Sequence, residues 1–212
     1  MRILSFTVPP LENNAFLLVD EGSKQAVVVD PAGGAEVLSK AVREQGLTVT
    51  AIVNTHGHHD HTADNAPLQA AVGGKIAIHE TDAYRLERNT AEPRWYLPVP
   101  PPPSKADLIL KEGSEIRFGS SGLRVLHTPG HTLGSICLYN PMQGVLFTGD
   151  IVMAGRYGRY DGPGGSFAKL LESVRTLLRL PRETKVYPGH GAFTTLAAEA
   201  PWMENLRYAS AH

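Results

Sequence analysis

The residues with the clearest chemical potential lie in one short run, Thr55-His56-Gly57-His58-His59-Asp60-His61. The run directly follows an apolar segment, residues 49–53, whose composition predicts a buried strand. Imidazole nitrogens suit zinc, iron and nickel, and a carboxylate adds a harder oxygen ligand. We therefore interpret the run as the first half of a metal centre.

The spacing within the run indicates two groups of ligands. His56 and His58 are two residues apart, so on an extended chain their side chains point to the same side. Asp60 and His61 follow where the chain turns into a helix. One face of the turn can therefore offer two imidazoles to one metal ion, and the other can offer a carboxylate and an imidazole to a second. His59 points away from His58, so we expect it to face solvent or to lie behind the ligands.

Three further candidate ligands, each at the end of a predicted strand, supply the second half of the centre. They are His131, Asp150 and His190, and each directly follows a glycine. A glycine allows the backbone to approach a crowded centre closely. His79 and His127 lie within strand patterns and are predicted to be structural histidines.

The elements that must position these residues form two similar halves. In the first half, we predict strands over residues 3–8, 15–19, 25–29, 49–53 and 75–79, and helices over 34–45, 62–72 and 80–88. In the second half, we predict strands over 115–118, 123–126, 135–139, 145–147 and 185–187, and helices over 167–180 and 201–208. This order favours one domain, residues 1–212, built as a sandwich of sheets with helices outside.

Residues 89–107 break this pattern, because they contain Trp95 and Tyr96 followed by a proline-rich run, Pro98 to Pro103. Such a run is extended and cannot pair centrally in a sheet. We predict a loop that crosses the domain, either as a stiff surface spacer or as a segment that covers substrate.

Composition excludes several classes of protein. Of the 212 residues, 42% are hydrophobic, and the formal net charge of −1 gives no electrostatic reason to expect nucleic acid or an anionic membrane as a partner. No run reaches the roughly 18 apolar residues of a membrane span. The single cysteine, Cys137, excludes an intrachain disulfide and is predicted to be a small buried apolar residue. The first residues show no signal peptide. We expect a cytoplasmic protein that acts on a small molecule, and its oligomeric state stays open.

The combined pattern His-x-His-x-Asp-His, Gly-His, Gly-Asp and Gly-His resembles the metallo-β-lactamase superfamily of metal hydrolases. The resemblance implies an α+β fold, the αββα four-layer sandwich, in which two mixed β-sheets pack face to face with helices outside. It also implies two divalent metal ions, with zinc expected first and iron or manganese as alternatives. The first ion would be bound by His56, His58 and His131. The second would be bound by Asp60, His61 and His190, with Asp150 bridging the two.

Within that superfamily the chain looks most like the short, single-domain relatives of glyoxalase II, the hydroxyacylglutathione hydrolases. The residues that carry this likeness are Asn14-Ala15-Phe16, Gly158-Arg159-Tyr160-Asp161 and Tyr187-Pro188-Gly189-His190-Gly191. Full-length glyoxalase II has a C-terminal helical domain with basic residues for the glutathione carboxylate. Here only about twenty residues follow His190, so the thiol carrier stays open. Gly57 stands where glyoxalase II commonly has another histidine.

The resemblance implies a mechanism in which two cations lower the pKa of a shared water from 15.7 towards about 7, so that hydroxide attacks a carbonyl carbon. Asp60 and Asp150 are the predicted catalytic residues, and Asp60 is also expected to orient the hydroxide. Arg159 and Tyr160 are predicted to hold a carboxylate or amide of the substrate. The alternative for Arg159 is an ion pair that shapes its loop.

The favoured function is hydrolysis of a thioester such as a hydroxyacylglutathione. One alternative is a persulfide dioxygenase with a single iron, which needs open positions for oxygen and thiolate. Others are a lactonase or β-lactamase with the same hydroxide, and a scaffold without activity, which has no need of all seven ligands.

Overall fold

The computed structural model describes residues 1–88 and 99–207 and places their strands in two mixed sheets. The first sheet contains, in spatial order, β1 (Arg2–Val8), β2 (Asn13–Val19), β3 (Gln25–Val29), β4 (Thr48–Val53), β5 (Lys75–His79) and β6 (Leu108–Leu110). β1 to β3 pair antiparallel, and β3 to β6 pair parallel.

The second sheet contains β7 (Glu115–Phe118), β8 (Ser121–His127), β9 (Ile136–Asn140), β10 (Val145–Gly149), β11 (Lys185–Pro188) and β12 (Thr194–Thr195). Its neighbours pair antiparallel except for β10 and β11, which are parallel. The helices are α1 (Ala35–Glu44), α2 (His59–Thr62), α3 (Asn65–Val72), α4 (Ala83–Arg88), α5 (Phe167–Leu177) and α6 (Leu196–Asn205).

Alternation along the buried strands sorts the apolar side chains into layers. On β2, Leu17 belongs to the apolar cluster that contains Leu38 of α1 and Leu68 of α3. Phe16 points to the other face and packs with Phe147 of the second sheet. A one-residue slip of β2 would exchange these faces, so the alternation fixes its register. A third apolar cluster lies between the second sheet and helices α5 and α6, and it contains the buried Cys137. The layers therefore run helix, sheet, sheet, helix, which confirms the predicted αββα sandwich.

Several boundaries differ from the sequence prediction. β6 and β12 were not predicted, because three and two residues are too short to show an alternating pattern. The helix predicted over 62–72 begins only at Asn65, as α3, and a separate short helix, α2, ends at Thr62. The last helix was predicted to begin at Pro201, but it begins at Leu196, because the Thr195 hydroxyl accepts a hydrogen bond from the Ala198 N–H and caps it.

Part of the predicted loop at 89–107 lies outside the described residues, including Trp95 and Tyr96. Residues 99–107 have no helix or strand, as predicted. Tyr208, the predicted end of the last helix, also lies outside the described range. Among the described residues, no helix is long and apolar enough to cross a membrane.

Candidate metal centre

Five chain segments meet at one edge of the two sheets. The segment after β4 carries His56 and His58 into α2, which holds Asp60 and His61. From the second sheet come His131, between β8 and β9, Asp150, directly after β10, and His190, after β11. Asn13, the first residue of β2, forms an isolated bridge with His190 and so joins the first sheet to the second here.

One group of possible ligands consists of His56, His58 and His131. Their coordinating atoms lie within 4.8 Å of one another. The ring of His131 is 4.7 Å from that of His56 and 4.5 Å from that of His58, both near perpendicular, so three imidazole edges face a common point. The structure therefore brings together the three histidines predicted for the first ion.

A second group consists of Asp60, His61 and His190, whose coordinating atoms also lie within 4.8 Å of one another. Asp60 Oδ2 lies 3.4 Å from His61 Nε2 and 3.3 Å from His190 Nε2. Asp150 lies between the groups, with Oδ1 3.5 Å from His61 Nε2 and Oδ2 3.5 Å from His131 Nε2. This is the placement that a bridging carboxylate requires.

Four of the imidazoles are anchored through Nδ1. His56 Nδ1 is 3.1 Å from Thr55 Oγ1, His131 Nδ1 is 2.6 Å from the carbonyl oxygen of Arg159, and His190 Nδ1 is 3.2 Å from that of Leu11. His61 Nδ1 is 3.0 Å from Asp30 Oδ2. Such contacts orient a metal-binding imidazole and leave Nε2 for the ion.

The opposite sides of these groups lack partners. Within residues 1–88 and 99–207, Nε2 of His56, Nε2 of His131 and Oδ1 of Asp150 are buried and have no hydrogen-bond partner. A buried polar atom without a partner is costly, and in a native protein it calls for an explanation such as an ion. The donor set of five imidazoles and two carboxylates fits divalent zinc, iron or manganese.

The two groups differ in their electrostatics. Burial and the neighbouring imidazole of His131 lower the pKa of His58 to about 3, and burial lowers that of His56 well below its usual value. Both rings are therefore neutral at pH 7 and offer lone pairs to a cation. Burial also acts to lower the pKa of His61, but the carboxylates of Asp60, Asp150 and Asp30 outweigh it and raise that pKa to about 10.

The carboxylate of Asp60 remains ionised for the same reason. Burial acts to raise its pKa, but His61, the hydrogen bond from His190 and the amide of Asn13 hold it below its usual range. Asn13 Nδ2 donates to Asp60 Oδ2 over 3.1 Å. The proton on His61 thus balances negative charge in the second group, and a divalent cation bound there would take its place.

The glycines that precede the ligands do not all serve the predicted purpose. A Cβ on Gly189 would lie 2.6 Å from His61 Cε1 and 2.7 Å from Asp150 Oδ1, so this glycine does allow close approach to the centre. A Cβ on Gly130 would instead meet the backbone of Leu170 in α5. Gly130 is therefore required by the packing of α5. The prediction that this glycine allows the backbone to approach the candidate metal centre was wrong.

The residues predicted to contact substrate lie on the loop that follows Asp150. The Arg159 guanidinium pairs with Asp161 at 3.0 and 3.1 Å and is exposed, which is the loop-shaping ion pair considered as its alternative role. The Tyr160 ring packs on Phe167 at 4.9 Å and is 39% exposed. Neither contact tests substrate binding, which stays a prediction for both residues.

The other histidines lie apart from these groups. His79 stacks on His127, with the rings 4.0 Å apart, and each has its own hydrogen bond, to Thr81 and to the Leu133 carbonyl. Their structural role was predicted. His59 is half-buried in α2 and belongs to neither ligand group among the described residues.

Sequence reasoning missed the residues that support the ligands. Asp30, which directly follows β3, was not among the predicted site residues. Its buried carboxylate nevertheless accepts hydrogen bonds from the Thr55 N–H at 2.8 Å and from the Thr55 hydroxyl at 2.6 Å, and it contacts His61. Asn13, at the start of β2, was not predicted as a site residue either. The available signal was the combination of a polar residue with a strand end, because strand ends meet at the edge of a sheet.

A family model described as "Metallo-beta-lactamase superfamily" matches residues 8–190. A hydroxyacylglutathione hydrolase of Cereibacter sphaeroides is 39% identical over 87% of this chain, which spans 65% of that relative's length. The hydroxyacylglutathione hydrolase GloC of Haemophilus influenzae is 32% identical, with 94% of this chain and 95% of the relative covered.

Solved structures share the fold. BLEG-1 B3 metallo-beta-lactamase has a TM-score of 0.85 and 31% identity, covering 94% of this chain and 97% of its own. TTHA1623 in a di-iron-bound form has a TM-score of 0.83 and 38% identity, with 93% and 96% covered. ETHE1 from Myxococcus xanthus has a TM-score of 0.78 and 30% identity, with 94% and 81% covered.

Proposed function

This chain belongs to the metallo-beta-lactamase superfamily, and we propose that it is a metal-dependent hydrolase that cleaves a thioester such as a hydroxyacylglutathione. The observation that carries the proposal is the convergence of seven imidazole and carboxylate side chains at one point. Four of the imidazoles are anchored through Nδ1, and three inner atoms, on His56, His131 and Asp150, lack hydrogen-bond partners among the described residues. The relatives named hydroxyacylglutathione hydrolase, at 39% and 32% identity, support the choice of substrate class.

In the proposed centre, His56, His58 and His131 would hold one ion, and Asp60, His61 and His190 would hold the other. Asp150 would serve both, because each of its oxygens faces one group. Two divalent cations supply Lewis acidity, which makes hydroxide available near neutral pH and polarises a carbonyl. Zinc is our first choice, and the di-iron-bound relative keeps iron as an alternative.

The protein's own groups would position the reactants. Asp60 is ionised and held by Asn13, so it can accept a hydrogen bond from the nucleophilic water and direct a lone pair towards the carbonyl carbon. Asp150 fixes the separation of the two groups. The leaving thiolate is stable enough to depart without a protein acid, so no further proton donor is needed.

Arg159 and Tyr160 are the proposed substrate contacts at the rim. The carbonyl oxygen of Arg159 is already tied to His131, so its side chain begins close to the three-histidine group. A substrate carboxylate could replace Asp161 as the partner of the guanidinium and bind it in bidentate fashion. Tyr160 would contact the acyl group or the thiol carrier with its exposed ring edge.

Two other activities compete with the thioesterase. β-Lactam or lactone hydrolysis would use the same nucleophile, and the likeness to BLEG-1 B3 metallo-beta-lactamase favours it. Persulfide dioxygenation needs one iron, which the three imidazoles could hold together with Asp150, whose Oδ2 lies 3.5 Å from His131 Nε2.

The test combines elemental analysis with a substrate panel. Protein purified with zinc, manganese or iron is assayed on a hydroxyacylglutathione, other thioesters, a persulfide with an oxygen electrode, a lactone and a β-lactam. We expect two ions per chain and thioester cleavage. One iron with oxygen consumption, or turnover confined to the β-lactam or lactone, would overturn the proposal.

Asp60→Asn tests the assigned mechanism. The amide is the same size but a poor metal ligand, so we expect a loss of about 10²–10⁴ in kcat, the range for a lost acid–base group, and weaker binding of the second ion. Circular dichroism controls for folding. Full hydrolysis with both ions retained would show that the role assigned to Asp60 is wrong.

A further inference from the structure

A buried carboxylate outside the ligand groups joins the two loops that carry the three histidines. Asp82 lies between β5 and α4 and is fully buried. Its Oδ2 accepts hydrogen bonds from the Gly57 N–H at 2.8 Å and from the Thr132 hydroxyl at 2.7 Å, and its Oδ1 accepts from the Gly134 N–H at 3.0 Å. Gly57 separates His56 from His58, and Thr132 follows His131. Asp82 is therefore bonded to both loops at residues next to the candidate ligands.

The position of Asp82 makes this use of its carboxylate unexpected. An aspartate directly before a helix commonly caps it by accepting from the helix N–H groups. Here the Asp82 carbonyl oxygen accepts from the Arg85 N–H, and the carboxylate is directed to the two loops instead. Hydrogen bonds to an ionised carboxylate are about twice as strong as neutral ones.

We propose that Asp82 is a positioning residue for the three-histidine site, holding its two loops at the separation that one ion requires. The inference rests on the metal binding in the proposed function. The loops extend from different sheets, β4 in the first and β8–β9 in the second. One backbone bond, from the Ile136 N–H to the Thr55 carbonyl, also joins them, but it lies on the strand side of the ligands.

Arg85 extends this support to a third loop. Its Nε lies 3.3 Å from Asp82 Oδ1, and its Nη2 donates to the carbonyl of Pro163. The aliphatic part of Arg85 packs over Gly57, where an added Cβ would lie 2.6 Å from Arg85 Cδ and 2.8 Å from its Cβ. The loop that includes Pro163 also carries Arg159, whose carbonyl anchors His131. The absence of a side chain at position 57 is thus what admits Arg85.

The support is specific to one half of the centre. Asp82 has its hydrogen bonds beside His56, His58 and His131. The second group is anchored by other residues, with Asp30 on His61, Asn13 on Asp60 and Leu11 on His190. Loss of Asp82 should therefore lower the affinity for the three-histidine ion and leave the affinity for the second ion unchanged. A general loss of stability would lower both affinities.

The test measures the affinity of each ion by competition with a zinc chelator in wild-type protein, Asp82→Asn and Asp82→Glu. Asparagine has the same size as aspartate, but only one of its two terminal atoms is an oxygen. Its NH₂ group would face an N–H or hydroxyl donor that Asp82 now accepts from. We expect the three-histidine ion to bind about 10–100-fold more weakly in Asp82→Asn, the usual cost of losing an orienting residue, with the second ion unchanged. The glutamate should recover part of the loss.

His190→Ala identifies the ion, because it removes a ligand of the second site only. In the His190→Ala background, adding Asp82→Asn should lower the affinity for the remaining ion by the same factor as in the wild-type background. Thr132→Val, which removes one of the three hydrogen bonds, is a milder variant should Asp82→Asn fold poorly, and it should weaken the same ion by a smaller factor.

Asp20→Asn is the matched control, because Asp20 is also a buried carboxylate with several hydrogen bonds but lies outside the centre. It should lower the melting temperature and leave both affinities unchanged. Equal weakening of both ions in Asp82→Asn, or wild-type affinity for both, would overturn the inference. Wild-type protein that binds two ions but cleaves no thioester would contradict the proposed substrate and leave this test intact, whereas failure to bind ions would contradict both.

Discussion

The two ends of β2 show opposite ways of burying a carboxylate. At its start, Asn13 contacts Asp60 of the candidate metal centre, where Asp150 has one oxygen without a hydrogen-bond partner among the described residues. Just after its other end, Asp20 forms the serine cluster, defined here as Asp20, Ser23, Ser120 and Ser121. Both regions join the first sheet to the second, but only the carboxylate of the serine cluster has hydrogen bonds to both of its oxygens within the described residues.

The serine cluster satisfies its carboxylate from both sheets. Asp20 Oδ1 accepts from the N–H and hydroxyl of Ser23, at 3.0 and 2.9 Å. Oδ2 accepts from the hydroxyls of Ser120 and Ser121, at 2.7 and 2.9 Å, across the gap to the second sheet. The difference teaches that a buried charge alone does not indicate a ligand-binding site. A site is indicated when the buried charged side chains are held in place and several of their polar atoms, without hydrogen-bond partners, face a common point.

The largest effect is expected from the end that needs a ligand. Asp150→Ala removes the carboxylate that faces both groups, so we expect activity to fall by at least about 10³-fold, because charge stabilisation by the metal is lost, and at least one ion to be lost. Steady-state kinetics and elemental analysis measure the two effects. Asp20→Ala serves as the comparison and should retain both ions. If the two variants lost ions alike, the distinction between the ends would fail.

An intermediate effect is expected one layer further out. Asp30→Asn keeps the shape of the residue that orients His61, but it weakens the acceptor on Nδ1. We expect affinity for the second ion to fall about 10–100-fold. The three-histidine ion should be weakened by a smaller factor, because Asp30 reaches His56 only through Thr55. Chelator competition measures both. Asp82→Asn should weaken the three-histidine ion more than the second ion, and Asp30→Asn should weaken the second ion more than the three-histidine ion. The same order of effects in both variants would contradict the assignment.

The smallest effect on activity is expected at the serine cluster, where the outcome depends on pH. The hydroxyl of Ser120 and the other serine donors hold the pKa of Asp20 well below its usual range. A depressed pKa contributes stability above the unfolded-state pKa, about 3.9, and this is lost as pH falls through the folded-state value. The melting temperature of metal-stripped Asp20→Asn should therefore lie below wild type at pH 7, by a margin that shrinks below about pH 4. Thermal unfolding at pH 7 and pH 3 tests this, and an equal gap at both would contradict it.

The convergence of the candidate ligands was predictable, because their type and spacing are local features of the sequence. His56 and His58 share a side on an extended segment, and His131, Asp150 and His190 each follow a strand. The four layers were also predictable, since alternation on strands such as β2 and the apolar face of α5 are readable in the sequence.

The supporting residues were not predictable, because their roles depend on distant partners. In the sequence Asp82 looks like a helix cap, but its partners Gly57 and Thr132 lie 25 and 50 positions away. Asp30 looks like a strand end, and its partner His61 lies 31 residues on. β6 and β12 are defined by pairing rather than by pattern, so only the assembled sheets reveal them.

The position of the chain's one sulfur atom bears on the proposed chemistry. Cys137 packs in the third apolar layer, and its burial raises the pKa of the thiol to about 12. A thiol that is neither ionised nor reachable does not exchange with free thiols or disulfides. If the proposed thioester hydrolysis releases a thiol at every turnover, the enzyme would be protected from forming a mixed disulfide with its own product and should keep working in an oxidising environment.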